Sequence, residues 1–122
     1  MFMKKKTLVF GASLKPERIS NMAVHRLVKK GEPVVAFGLK PGDISGVSID
    51  TDLIEYEDIH TITLYINSNR QKEYYDYLIG LNPKRVIFNP GTENLEFYQL
   101  LQENGISAEM SCTLVLLSTN QY

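Results

Sequence analysis

Lys6-Thr-Leu-Val-Phe-Gly-Ala-Ser-Leu-Lys-Pro-Glu-Arg-Ile-Ser-Asn-Met-Ala-Val-His-Arg-Leu-Val-Lys-Lys-Gly31 reads as a buried strand, a loop opening on Gly-Ala-Ser, and a helix with an end signal on each side. Ser20 is a good N-cap residue, and Ala23, Val24, Leu27 and Val28 recur at helical spacing. Lys29-Lys30-Gly31 suits a helix C-terminus. In a strand-loop-helix unit the loop crosses the carboxyl end of the strand, and the helix points its free N–H groups at whatever sits there. The layout therefore suits a phosphate, and equally the plain turn that any α/β protein needs after its first strand.

The dinucleotide fingerprint Gly-x-Gly-x-x-Gly is not met, because Gly11 is followed by Ala12 and Ser13. The loop instead supplies a hydroxyl at Ser13, cations at Lys15 and Arg18, and Ser20-Asn21 at the helix start. Such side chains can make contacts that a glycine-rich loop makes with its backbone.

Working outward, strands and helices alternate. Pro33-Val-Val-Ala-Phe37 is a continuous apolar run, typical of a strand covered on both faces. A Gly-, Pro- and Asp-rich loop follows, with a short strand expected at Val47 to Ile49. Thr61 to Ile66 is the third long strand, and Asn69 is the expected cap of a helix from Arg70 to Leu81, stopped by Asn82-Pro83. Arg85 to Phe88 is the fourth strand; Asn94 caps a helix carrying Phe97, Leu100 and Leu101, ended by Gly105; Ile106 to Met110 is the fifth. The expectation is an α/β fold, a Rossmann-like doubly wound sheet of five parallel strands in three layers, with the order 3-2-1-4-5 and one domain over the whole chain.

The 122 residues, 43% of them hydrophobic, suit one compact core. A net charge of −1 gives no reason to expect a nucleic-acid partner. The one cysteine, Cys112, allows no internal disulfide and suggests a reducing compartment, by default the cytoplasm. The opening Met-Phe-Met-Lys-Lys-Lys imitates a secretory leader, but the apolar run from Thr7 breaks at Gly11. No stretch approaches the roughly 20 apolar residues that span a bilayer, so no membrane partner is expected.

In a doubly wound sheet the ligand crevice lies outside the carboxyl ends of the strands, where the order reverses. That rule selects Gly11, Ala12, Ser13, Gly38, Lys40, Asn67, Asn89, Pro90, Gly91 and Asn94, with Arg18 and Ser20 from the helix start, and it aims Cys112 at the same place. An NAD site presents an acid after the second strand, whereas this chain has Gly38-Leu39-Lys40. A lysine there favours a phosphorylated ribose, as in coenzyme A or NADP.

The pattern resembles the small CoA-binding proteins, single-domain relatives of the CoA-binding domain in the succinyl-CoA synthetase α subunit. The resemblance rests on Gly11-Ala12-Ser13 with Pro16, Arg18 and Ser20, on Ile44-Ser45-Gly46, on Asn89-Pro90-Gly91-Thr92-Glu93-Asn94, and on Cys112, and it covers nearly the full chain. It implies a Rossmann-like fold and coenzyme A or an acyl-CoA as ligand. Two departures stand out. Phe37-Gly38-Leu39 replaces the family's Val-Asn-Pro, removing an asparagine contact to the nucleotide; Tyr65-Ile66-Asn67 lacks the arginine usual after the third long strand.

No catalytic constellation emerges. His25 and His60 have no partners at metal or triad spacing; Cys112 has no adjacent base; Glu93 suits helix-end ordering better than proton transfer. The expected function is a non-catalytic binding module, serving alone, as a homodimer or with a partner enzyme. The alternative is a small NAD(P)-binding oxidoreductase or redox sensor using the same crevice. Tyr74, Tyr75 and Tyr77 crowd one helix and suit either a dimer surface or the core.

Overall fold

The structure, a computed structural model, describes residues 4–122. The opening Met1 to Met3, part of the leader-like segment above, lies outside the described residues. In chain order the elements are β1 (Thr7–Phe10), α1 (Ile19–Lys29), β2 (Val34–Phe37), β3 (Gly42–Ile44), β4 (Val47–Asp50), β5 (Thr61–Leu64), α2 (Ser68–Gln71), a 3₁₀ turn (Lys72–Tyr74), α3 (Tyr75–Gly80), β6 (Arg85–Phe88), α4 (Leu95–Glu103), β7 (Ser107–Met110) and α5 (Thr113–Ser118).

The sheet has seven strands in the order β3-β4-β2-β1-β5-β6-β7. All neighbours run parallel except β3, which pairs antiparallel with β4. This corrects the expected five-stranded sheet and its order: the Thr61 strand lies directly beside β1, with Thr7 opposite Thr61, and does not flank β2. Burial explains its place. All four β5 residues are buried, as a central strand requires, whereas β4 has one buried residue in four and lies between β2 and the edge strand β3. The step from β2 to β4 is made by a hairpin. Ser45 and Gly46 both have positive φ, 51° and 84°, the two-residue turn whose twist matches the flanking strands.

From β1 the sheet grows both ways, and its helices go to opposite faces. Val24 and Leu27 of α1 and Leu117 of α5 pack with Val9, Ala36 and Ile49 on one face. Tyr75 and Leu78 of α3 and Phe97 and Leu101 of α4 pack with Leu8, Phe10, Ile62 and Phe88 on the other. The chain thus diverges to opposite sides after β1 and after β5, which opens a crevice above their carboxyl ends.

Two local expectations are revised, and one left open is resolved. Asn67, not Asn69, caps the helix after β5, its Oδ1 accepting from the Arg70 N–H at 3.1 Å, and that helix is broken by the 3₁₀ turn. Helix α5 was not foreseen. Tyr74, Tyr75 and Tyr77 are packing residues: Tyr74 meets Phe10 edge-on, Tyr75 stacks on Phe97 at 4.4 Å, and the Tyr77 hydroxyl donates to the Ile54 carbonyl. Asn94 caps α4 as expected, accepting from Phe97 N–H at 3.1 Å.

Candidate functional site

The loops after β1, β2, β5 and β6 surround a cavity of about 870 Å³. Its floor is built by two glycines. Gly11 has φ +105°, and an added Cβ would stand 2.9 Å from Ile66 Cγ2 and 3.1 Å from the Tyr65 carbonyl carbon. At Gly38 a Cβ would lie 2.4 Å from the Ala12 carbonyl oxygen. The Gly11 and Ala12 N–H groups both donate to the Phe37 carbonyl, at 2.9 and 2.8 Å. Backbone is packed on backbone here, so the side chain missing at Gly38 reflects a steric requirement of the way these two loops pack in this chain.

The loop from Ser13 to Arg18 is held from within. Ser13 Oγ accepts from Lys15 N–H at 3.2 Å, the Ser13 carbonyl accepts from Asn21 Nδ2 at 2.9 Å, and Arg18 N–H donates to the Lys15 carbonyl at 3.0 Å. Arg18, not Ser20, occupies the N-cap position, and no side chain caps the helix; Ser20 is buried inside the first turn. The extended backbone at Arg18 is set by this turn, which moves the helix start two residues earlier than the capping propensity of Ser20 suggests. Ile19 and Ser20 of the first turn therefore line the cavity with no side-chain cap on their N–H groups, while the Asn21 and Met22 N–H groups donate to the Arg18 carbonyl.

Charge around the cavity is one-sided. Lys15, Arg18, Lys40 and Arg70 line it against the single carboxylate Glu17, in a chain of net charge −1. Among the described residues the one ion pair is Arg85 with Glu109, at the amino end of β6, so no carboxylate pairs with the four cavity cations. Beside the charge lies apolar surface: Phe10 stacked on Phe37 at 4.7 Å, Tyr74 edge-on to both, and exposed Leu14 and Leu39 at the rim.

Of the residues selected from sequence, Gly11, Ala12, Ser13, Arg18, Ser20, Gly38, Lys40, Asn67, Pro90 and Gly91 line the cavity. Asn89 and Asn94 do not; they build its wall. Asn89, 2% exposed, donates to Thr63 Oγ1 and the Leu64 carbonyl and accepts from Thr113 N–H at 2.9 Å. Asn94 caps α4 and donates to Gln71 Oε1 and the Tyr75 hydroxyl. Cys112, expected at the crevice, lies in the turn entering α5 and is not among the lining residues.

Arg70 was missed. It restores a cation to the side where the sequence lacks the expected arginine, three residues beyond Asn67 and one helical turn on, and the Asn67 cap is what brings it there. His60 sits at the opposite end of the sheet, its Nδ1 2.8 Å from Thr61 Oγ1. Its pKa is lowered by burial, with Arg85, Lys5 and Lys84 adding to the effect. Among the described residues no cluster of His, Cys, Asp or Glu could hold a metal, and no helix is long and apolar enough to cross a membrane.

Comparison with known proteins agrees with this picture. No curated protein matches the sequence. A crystal structure of an uncharacterized protein, 42% identical, superposes with a TM-score of 0.96 over 99% of this chain and 100% of its own. A hypothetical protein from Pyrococcus horikoshii OT3, 25% identical, gives 0.85 over 95% and 83%. The dinucleotide-forming acetyl-coenzyme A synthetase 1 of Ca. Korarchaeum cryptofilum, in complex with phosphate and ADP, is 16% identical with a TM-score of 0.71; 85% of this chain aligns with 25% of that one, a likeness of fold. The family described as the CoA binding domain matches residues 5–118, and the chain belongs to that family.

Proposed function

We propose that this chain binds coenzyme A or an acyl-CoA in the crevice above β1 and β5, as a carrier or sensor that does not itself transform the ligand. The observation that carries the reading is the set of four unpaired cations, Lys15, Arg18, Lys40 and Arg70, gathered round the uncapped start of α1. Coenzyme A brings a diphosphate and a ribose 3′-phosphate joined to an apolar base and a flexible arm. The diphosphate would lie over Gly11 to Ser13, against the first-turn N–H groups and Arg18. Lys40, after β2, would meet the phosphorylated ribose, with Leu14 and Leu39 flanking the base. Arg70 would contact the diphosphate from the β5 side.

The amino-acid types support binding over catalysis. No lining side chain offers a nucleophile paired with a base, and the one lining carboxylate, Glu17, is exposed on a loop. A phosphorylated ribose also belongs to NADP, which Lys40 would suit equally; membership of the CoA-binding domain family favours coenzyme A.

Mapping backbone amide shifts on addition of CoA tests the placement. The expected result is that Gly11, Ala12, Ser13, Ile19 and Ser20 shift most. Shifts confined to the β7–α5 side of the sheet would contradict it.

A further inference from the structure

Gln71 is the largest fully buried polar side chain of the molecule among the described residues, at 0% exposure, and it stands between the two lips of the crevice. Its Nε2 donates twice: to the Ile66 carbonyl at 2.9 Å and to the Thr92 carbonyl at 2.8 Å. Its Oε1 accepts from Asn94 Nδ2 at 3.0 Å, and Asn94 Nδ2 also donates to the Tyr75 hydroxyl at 2.7 Å. Ile66 and Thr92 both line the cavity, one on the loop after β5 and the other on the loop after β6. Asn89 ties the bases of the two loops through the Leu64 carbonyl, and among the described residues no hydrogen bond other than those of Gln71 joins residues 66–70 to residues 90–92. Removing this amide leaves the buried Thr92 carbonyl without its partner and takes one partner each from the half-buried Ile66 carbonyl and from Asn94 Nδ2, which keeps its bond to Tyr75.

The same side chain anchors α2. The adjacent residue, Arg70, is the one cavity cation on this side, and Asn67 begins the helix. With only four residues, α2 has too few internal bonds to hold itself. The Gln71 amide supplies that hold from outside the helix.

We propose that Gln71 is the positioning residue of the crevice: one buried amide ties the Ile66–Arg70 lip to the Pro90–Thr92 lip, fixes their separation, and thereby sets how well Arg70 meets the ligand. The inference rests on the ligand reading for its affinity consequence, but the tie between the lips does not.

The test is Gln71→Met, which keeps length and bulk and removes every hydrogen bond, compared with Leu101→Ala, a core cavity in the last turn of α4. Amide shifts of ligand-free protein and calorimetric titration with CoA are measured on both variants and on the unmodified chain. In Gln71→Met the amides of Asn67, Arg70, Gly91 and Thr92 should all move, and CoA affinity should fall about tenfold, in line with loss of one to two net hydrogen bonds' worth of preorganisation. Leu101→Ala should lower the melting temperature at least as much and leave affinity within about twofold. Gln71→Met binding CoA as tightly as the unmodified chain, with only its melting temperature lowered, would reduce Gln71 to a core residue and overturn the proposal. If the unmodified chain does not bind CoA, the ligand reading fails; the tie is then judged on the ligand-free shifts, supported by movement on both lips and overturned by movement on one.

Discussion

At Gly38 one carbon atom decides whether the crevice can form. A methyl group there would press to 2.4 Å from the Ala12 carbonyl oxygen, inside any normal contact, and the partner is backbone that cannot swing aside. Gly38→Ala should therefore destabilise the protein by about 2 kcal/mol in urea unfolding and weaken CoA binding with it. Arg18 is the opposite case. It is exposed and, among the described residues, its side chain makes no hydrogen bond or ion pair, so its charge is free to act on a ligand. Arg18→Glu should lower CoA affinity about tenfold at an unchanged melting temperature. Equal affinity for both proteins would remove Arg18 from the site. The sequence made both residues visible, but for different reasons than the folded chain supplies. Gly38 reads as a missing asparagine until the approach of Ala12 is seen, and no local pattern encodes that distance. Arg70 was invisible because its place depends on which of Asn67, Ser68 and Asn69, all good caps, begins the helix.

Among the elements, the long strands were legible, while their order and the short β3 inside the Gly-, Pro- and Asp-rich loop were not. Apolar runs of three or more residues mark β1, β2 and β6, and β-branched residues mark β5, yet a run cannot say which neighbour it takes. The full burial of Thr61 to Leu64 shows only after folding that this strand is central. Helix α5 escaped notice because Thr113-Leu-Val-Leu-Leu-Ser118 is apolar without a helical period. Its attachment is polar and buried. Asn89 bridges β5, β6 and the start of α5, and Thr63 Oγ1 meets Thr113 Oγ1 at 2.8 Å. Asn89→Ala would strand the Thr113 N–H and the Leu64 carbonyl, and should cost about 3 kcal/mol in unfolding free energy. A loss under about 1 kcal/mol would show that the bridge is dispensable. At the amino end of β5, His60 titrates below its ordinary 6.5 because burial and the neighbouring Arg85, Lys5 and Lys84 disfavour the charged ring. The unfolded chain then binds the proton more readily, so the His60 contribution is complete above 6.5 and is lost as pH falls below it. Unfolding of the unmodified chain and His60→Gln at about pH 5, 6 and 7 should show the steeper loss toward low pH in the unmodified chain; parallel curves would rule His60 out.

On the scale of the whole molecule, the sheet divides the labour between its two edges. The carboxyl edge gathers cations, close-packed glycines and an apolar rim, while the amino edge carries the Arg85–Glu109 pair and the cation-packed ring of Tyr122. Rossmann-like topology was predictable from alternating elements, and the location of the crevice followed from topology without any motif. The ligand was less legible, because a fold of this kind hosts many nucleotides and the choice among them rests on a few side chains. Here those side chains are Lys40 in the place of an acid and the cations around α1. The most direct test is calorimetric titration of CoA, 3′-dephospho-CoA and NAD into the protein under identical conditions. CoA should bind most tightly, with affinity reduced when the 3′-phosphate is removed and lowest for NAD; NAD binding more tightly than CoA would rule out a CoA site in this crevice.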